Sequence, residues 1–262
     1  MNYYFLPRHP VFETAVTLAN FSPVDAVGRE RQHIYLAWTD GTRWIIEAMG
    51  DLGAGESRNF TSKNLPQTVP ADRACFFFFF PKLLPATLNK LPTDPMMETA
   101  PAWRGNIQFR SPTTRTSYQG EYPSAMLKLK KQSLVSISPM IQGGDDIGMH
   151  FLLANLCETP EQHPRTLKFA AARDRKVVLE ATVYTNAVSL VDISAIAPLR
   201  NELFCTVSSD ITGVPLYLAF DVGGTQLSLE HTHPPTELFA FSRQPQVPVK
   251  RMKSWWLQQV KS

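Results

Sequence analysis

Two stretches of this chain, Thr14 to Ser22 (TAVTLANFS) and Met149 to Cys157 (MHFLLANLC), share Leu-Ala-Asn in one register. The correspondence continues downstream, where His33 to Asp40 (HIYLAWTD) answers Leu167 to Asp174 (LKFAAARD), each an apolar-rich run closing on an Asp where a turn would begin. A third pair, Trp103 to Pro123 against Val214 to Pro234, aligns without a gap and pairs Phe109 with Phe220, Thr114 with Thr225 and Ser117 with Ser228. Three ordered matches predict two copies of one domain, with Asn20 equivalent to Asn155 and Phe109 to Phe220. A length of 262 residues accommodates such a pair, each copy large enough for its own core.

Short runs rich in Val, Ile, Phe, Tyr and Thr, punctuated by Gly, Pro, Asn and Asp, are the pattern of an antiparallel sandwich. The expected strands of the first copy are 11–18, 33–38, 44–49, 75–80, 107–110 and 116–118. Those of the second are 133–137, 150–154, 167–172, 177–184, 203–207, 216–220 and 227–231. Asp40-Gly41 and Gly223-Gly224 are hairpin signals, because glycine takes positive φ without steric cost. Five consecutive phenylalanines, Phe76 to Phe80, require a strand covered on both faces, since alternate side chains point to opposite sides. Pro81 to Pro101 has no counterpart in the second copy and reads as a long irregular excursion, functional or mobile in character. The fold class is therefore all-β: two tandem related antiparallel β-sandwich domains, 1–127 and 128–248, and a short C-terminal helical tail, 249–262.

A formal charge of +3 with scattered basic residues argues against nucleic acid as a partner. Cys75, Cys157 and Cys205 lie in apolar runs without metal-binding or redox spacing and read as small buried hydrophobes. The opening MNYYFLPRHPVFET has neither a basic n-region nor an apolar h-region, and no apolar stretch is long enough to span a bilayer. These features predict a cytoplasmic protein with no membrane span. The tail holding Trp255 and Trp256 after Lys250, Arg251 and Lys253 reads as packing on its own sandwich or a neighbouring subunit, with a membrane interface as the other reading.

Two local motifs invite chemistry. Asp221-Val-Gly-Gly-Thr225 resembles the first phosphate loop of sugar kinases and their actin-like relatives, but too few residues follow it for the rest of that fold, and a glycine hairpin turn explains it. Glu230-His-Thr-His-Pro-Pro-Thr-Glu237 places His231, His233 and Glu237 in an H-x-H-x3-E spacing that resembles the first metal motif of cupins, whose donors suit one divalent transition metal. Pro234-Pro235 interrupts the strand, no His follows His233, and the first copy carries Gly120 and Tyr122 at the His positions, so no cofactor is the primary expectation. His9, His33, His150 and His163 read as core or surface histidines, and no nucleophile motif accompanies Ser208, Ser209 and Asp210.

The order Leu-Ala-Asn strand, Ala181-Thr-Val-Tyr184, then Gly213-Val-Pro-Leu-Tyr-Leu218 resembles the small β-sandwich domain of the sensory rhodopsin transducer family. The resemblance spans His150 to His233 and departs from that family at Ala219-Phe-Asp221. It implies an all-β sandwich that oligomerises and serves as a binding or adaptor module, with carbohydrate as one candidate ligand. The expectation is a non-catalytic protein that binds a small molecule, sugar or protein partner. Tyr118, Glu121, Tyr122, Glu230, His231 and His233, at matched strand ends, are its candidate ligand-binding residues. The alternatives are a metal-dependent cupin-like enzyme using His231, His233 and Glu237, and a structural or assembly protein pairing through exposed strand edges.

Overall fold

The computed structural model describes residues 1–20, 31–93, 103–128, 133–137, 146–171, 176–199, 204–208 and 211–231. The first half contributes β1 (Asn2–Leu6), β2 (Glu13–Asn20), β3 (Gln32–Thr39), β4 (Trp44–Leu52), β5 (Ser57–Thr61), β6 (Cys75–Phe80), β7 (Thr87–Leu88), β8 (Trp103–Arg110), β9 (Arg115–Gln119) and β10 (Tyr122–Pro123). A 3-10 turn over Ser124–Lys128 leads to the second half. There follow β11 (Ser133–Ile137), β12 (Ile147–Asn155), β13 (Pro164–Ala171), β14 (Val177–Tyr184), β15 (Ala187–Asp192), β16 (Phe204–Ser208), β17 (Val214–Asp221) and β18 (Leu227–His231). Strands make up most of the described residues, no α-helix occurs among them, and every strand pairing among them is antiparallel, so the protein is all-β. The tail 249–262 lies outside the described residues, as do 94–102 of the Pro-rich segment.

Four sheets stack in one order. Sheet 1 (β5-β2-β8-β9) packs on sheet 2 (β10-β1-β6-β3-β4-β7) through Val16, Leu18 and Phe60 against Tyr4, Leu36, Phe77 and Phe79. The opposite face of sheet 2, with Tyr3, Phe5, Tyr35, Trp44, Phe76 and Phe78, packs on sheet 3 (β15-β12-β17-β18) through Leu152, Ala154, Leu216 and Leu218. Sheet 3 then covers sheet 4 (β11-β16-β13-β14) through Met149, Phe151 and Tyr217 against Leu167 and Phe169. Strand order repeats between the halves: β5-β2-β8-β9 in sheet 1 becomes β15-β12-β17-β18 in sheet 3, and β1-β6-β3-β4 in sheet 2 becomes β11-β16-β13-β14 in sheet 4.

Side-chain alternation explains why the stack has four layers. On β6, Phe76 and Phe78 enter the layer between sheets 2 and 3, while Phe77 and Phe79 enter the layer between sheets 1 and 2. A strand of unbroken phenylalanine is stable only in such a doubly covered place. The outward face of sheet 1 is polar instead, and on sheet 4 the outward face of β13 and β14 carries a charged pair. On sheet 1, Thr17 Oγ1 donates to Asn59 Oδ1 (2.9 Å) and accepts from Gln108 Nε2 (3.0 Å); on sheet 4, Lys168 pairs with Glu180 at 3.5 Å. The apolar faces of sheets 2 and 3 cover each other, which removes both from water.

The equivalence expected between Phe109 and Phe220 is off by one residue. Thr14 pairs with Phe109 on β2 and β8, whereas Met149 pairs with Ala219 on β12 and β17. With Asn20 set against Asn155, Phe109 therefore corresponds to Ala219, and Phe220 points to the opposite face, as a single-residue slip dictates. Asn20 and Asn155 hold comparable posts at the ends of β2 and β12. Asn20 Nδ2 donates to Leu52 O at 3.1 Å, and Asn155 Oδ1 accepts from the Asn186 amide at 3.0 Å, so each anchors the chain between the fourth and fifth strands of its half.

The described part of the Pro-rich excursion is no loose loop. β7 pairs with β4, Tyr3 Oη donates to Pro92 O (2.6 Å), and the buried Leu91 donates its amide to Glu158 O (2.9 Å). Glu158 sits in a strap between β12 and β13 that the first half grips at several points. Trp44 Nε1 donates to Glu158 O (3.0 Å), Thr39 Oγ1 to Pro160 O (2.7 Å) and Tyr122 Oη to Leu156 O (2.9 Å).

Candidate functional site

The connection from β1 to β2 contains Pro7 and Pro10, which cannot donate to a ladder, so the chain leaves sheet 2 and crosses to sheet 1. Thr14 Oγ1 fixes the crossing by donating to Pro7 O (2.6 Å), and Arg8 Nε donates to Arg73 O (3.1 Å). His9 sits at its apex. Its Nδ1 accepts from the amides of Val11 (3.2 Å) and Phe12 (3.1 Å), which places the ring proton on Nε2. Nε2 lies 2.7 Å from Nδ1 of His150 on β12, so His9 donates and His150 accepts.

An aromatic cage surrounds the pair. The His9 ring stacks on Phe12 at 4.8 Å and meets Phe109 and Phe220 edge-on at 5.9 Å, while His150 meets Phe220 at 5.1 Å. Burial penalises the imidazolium and lowers the His9 pKa from 6.5 to about 4, with repulsion from His150 adding to the effect. Burial also lowers His150, opposed by the carboxylate of Asp192, its cross-strand neighbour on β15. Both rings are neutral near pH 7 and act as a hydrogen-bonded clasp between the halves.

His9 also lines an open cleft of about 430 Å³ on the outer side of sheet 1, together with Val11, Glu13, Ser62, Lys63, Arg110 and Ser111. A second hollow of about 460 Å³ runs along the β8–β9 turn from Arg110 to Arg115 and shares Arg110, Ser111 and Pro112 with the first. Ladder register sets the charged groups: Glu13 lies opposite Arg110, and Arg110 opposite Arg115. Lys63 reaches Glu13 at 3.3 Å, and Arg110 donates through Nε to Gln108 Oε1 at 3.1 Å. In the turn itself, Ser111 Oγ accepts from the Thr113 and Thr114 amides.

Asp221 to Thr225 closes the β17–β18 hairpin beside this region. Asp221 accepts from Thr225 Oγ1 and the Gln226 amide, both at 2.6 Å, and Gly224 adopts φ +66°. The carboxylate is thus spent on its own turn, as a hairpin reading of this motif requires. A Cβ on Gly224 would stand 3.5 Å from Phe12 and 3.8 Å from Ser111, so the two hairpin tips touch.

The residues proposed from matched strand ends fall elsewhere. Tyr118 is half-buried at the far end of β9, Glu121 accepts from Asn2 Nδ2 at 2.8 Å, and Glu230 is half-buried on β18, which runs beside β9. Tyr122 corrects the expectation directly: it is fully buried, with its hydroxyl committed to Leu156 O, and offers no face to a ligand. The backbone of His231 pairs with Leu216; His233 and Glu237 lie outside the described residues. Among the described residues, no three His, Cys, Asp or Glu side chains converge as metal ligands, and no helix is long and apolar enough to cross a membrane. Comparison with protein-family models, curated proteins and solved structures finds no match.

Proposed function

We propose that this is a non-catalytic binding protein whose ligand seats in the cleft between His9, Lys63 and the β8–β9 turn. The observation that carries the reading is the cleft itself. Its volume of about 430 Å³ suits a small molecule, and it sits on a rigid sheet at the place where the two halves are clasped. Its polar lining and openness favour a hydroxylated, sugar-like ligand over an apolar one. The shared strand order supports a further part of the proposal, that the halves descend from one duplicated sandwich. The segments that carry the resemblance to the sensory rhodopsin transducer family fall on β12, β14 and β17, and the binding or adaptor role is what that resemblance implies. The free, buried thiol of Cys75 suits the reducing cytoplasm.

The test is a two-dimensional amide NMR spectrum of the protein titrated with a panel of sugars, sugar acids and sugar phosphates. The reading expects shifts that cluster at Ser62, Lys63 and Ser111 to Arg115 and vanish in Ser62→Trp. Shifts centred on Tyr118, Glu121 and Glu230, or no shifts with any of the panel, would refute the cleft as the site.

A further inference from the structure

We infer that the cleft takes an anionic ligand, a phosphate or carboxylate group carried on a hydroxylated body. This rests on the cleft being the binding site and adds the chemical class of what fills it. Three cationic side chains, Lys63, Arg110 and Arg115, line the two connected hollows, against one carboxylate, Glu13. That carboxylate pairs with Lys63 at 3.3 Å and lies opposite Arg110 on the ladder, so three cations against one anion leave the lining net positive.

Arg110 and Arg115 face each other directly across the mouth of the β8–β9 hairpin. Like charges in that position repel and destabilise a hairpin unless something neutralises them. The nearby carboxylate of Asp221 is held within its own turn by Thr225 and Gln226. A ligand anion seated between the two guanidinium groups supplies the neutralising charge in the planar geometry that arginine favours. Ser62, Thr113 and Thr114 border the same hollows and offer hydroxyl groups to the rest of such a ligand. The cleft is open to solvent, so charge attraction works there in partial screening and binding weakens as salt is raised.

Isothermal titration of the full chain with inorganic phosphate, glucose 6-phosphate, glucuronate and glucose tests the inference. The expected result is binding of the three anions and none of glucose, with glucose 6-phosphate or glucuronate tighter than inorganic phosphate. Arg110→Gln and Arg115→Gln should each weaken it roughly tenfold, the scale of one charge-assisted hydrogen bond, while Lys82→Ala, an exposed cation elsewhere, changes nothing. Arg115→Gln should also raise the melting temperature of the ligand-free protein by relieving the repulsion, which shows that the variant is folded. Equal binding of glucose, abolished by Ser62→Trp, would overturn the anionic class and leave the cleft as the site. Anion binding that survives both arginine substitutions would mean an adventitious ion only, and no heat with any of the four would overturn the class and the site together.

Discussion

His9 and His150, 141 positions apart in the chain, meet at 2.7 Å between Nε2 and Nδ1 and join the lead-in of β2 to the central strand β12 of the other half. Because His9 Nδ1 is occupied by two backbone amides, the direction of this bond is fixed and both rings must be neutral for it to form. Burial favours that neutral state. The folded pKa of His9 is about 4 against 6.5 when unfolded, so as pH falls through 6.5 the unfolded chain takes up a proton that the folded chain refuses. The associated stability is fully present above pH 6.5, is lost between 6.5 and 4, and changes no further below. With allowance for the half-exposed ring, the loss is on the order of 1–2 kcal/mol. Urea midpoints at pH 7.5 and 4.5 should differ accordingly in the wild type and much less in a His9→Gln His150→Gln double variant.

Phe78 is fully buried between sheets 2 and 3, with the rings of Tyr3 and Tyr35 at 5.1 and 5.6 Å. Phe78→Asp puts an unpaired carboxylate there at a cost of several kcal/mol, comparable with the stability of a domain. The variant should fail to fold, whereas Phe78→Leu should remain folded with a lower melting temperature. Circular dichroism melting of both distinguishes these outcomes, and a folded Phe78→Asp with unchanged melting would show that this strand is not covered on both faces.

Asn186 turns the chain between β14 and β15 at φ +54°, a conformation that asparagine tolerates better than most residues. Its buried side chain accepts from the Cys157 amide at 2.7 Å and donates to Thr159 O and Glu161 O at 2.8 and 3.0 Å. Asn186→Gly keeps the backbone and removes those bonds, and should cost about 2–3 kcal/mol; Asn186→Ala adds backbone strain of about 1 kcal/mol. Chemical denaturation of the two variants should give that ranking.

Burial raises the Cys75 thiol to about 11, since the thiolate would sit in the apolar layer between sheets 1 and 2. Iodoacetamide at pH 8 should leave Cys75 unmodified in the native protein and label it once urea unfolds the chain, read by peptide mass mapping.

What the sequence discloses depends on how local the cause is. Phe76 to Phe80 announces its strand and its central place, because no other setting hides both faces of such a run. Polar Ser57-Arg-Asn-Phe-Thr61 gives no alternation to read, since as an edge strand of sheet 1 it is exposed from Ser57 to Asn59 and buries only Phe60 fully. The proline content of Pro81 to Pro101 describes the backbone and conceals that Leu91 docks under the strap at Glu158. The gap-free match of Phe109 with Phe220 goes wrong by one residue because the strand pairings of the two halves fix a register that the alignment did not sample. Matched strand ends led to Tyr118, Glu121 and Tyr122, whereas the cleft assembles from the β2 lead-in, the loop after β5 and the β8–β9 turn, segments that only folding brings together.

The central claim is that the two halves of the chain form one body through the apolar faces of sheets 2 and 3 and the strap at Leu156 to Pro160. Differential scanning calorimetry of the full chain tests it most directly. One transition, with the calorimetric enthalpy equal to the van't Hoff enthalpy, is the predicted result, because neither half can separate without exposing Phe76, Phe78, Leu216 and Leu218 together. Two resolved transitions, each with the enthalpy of half the chain, would contradict it.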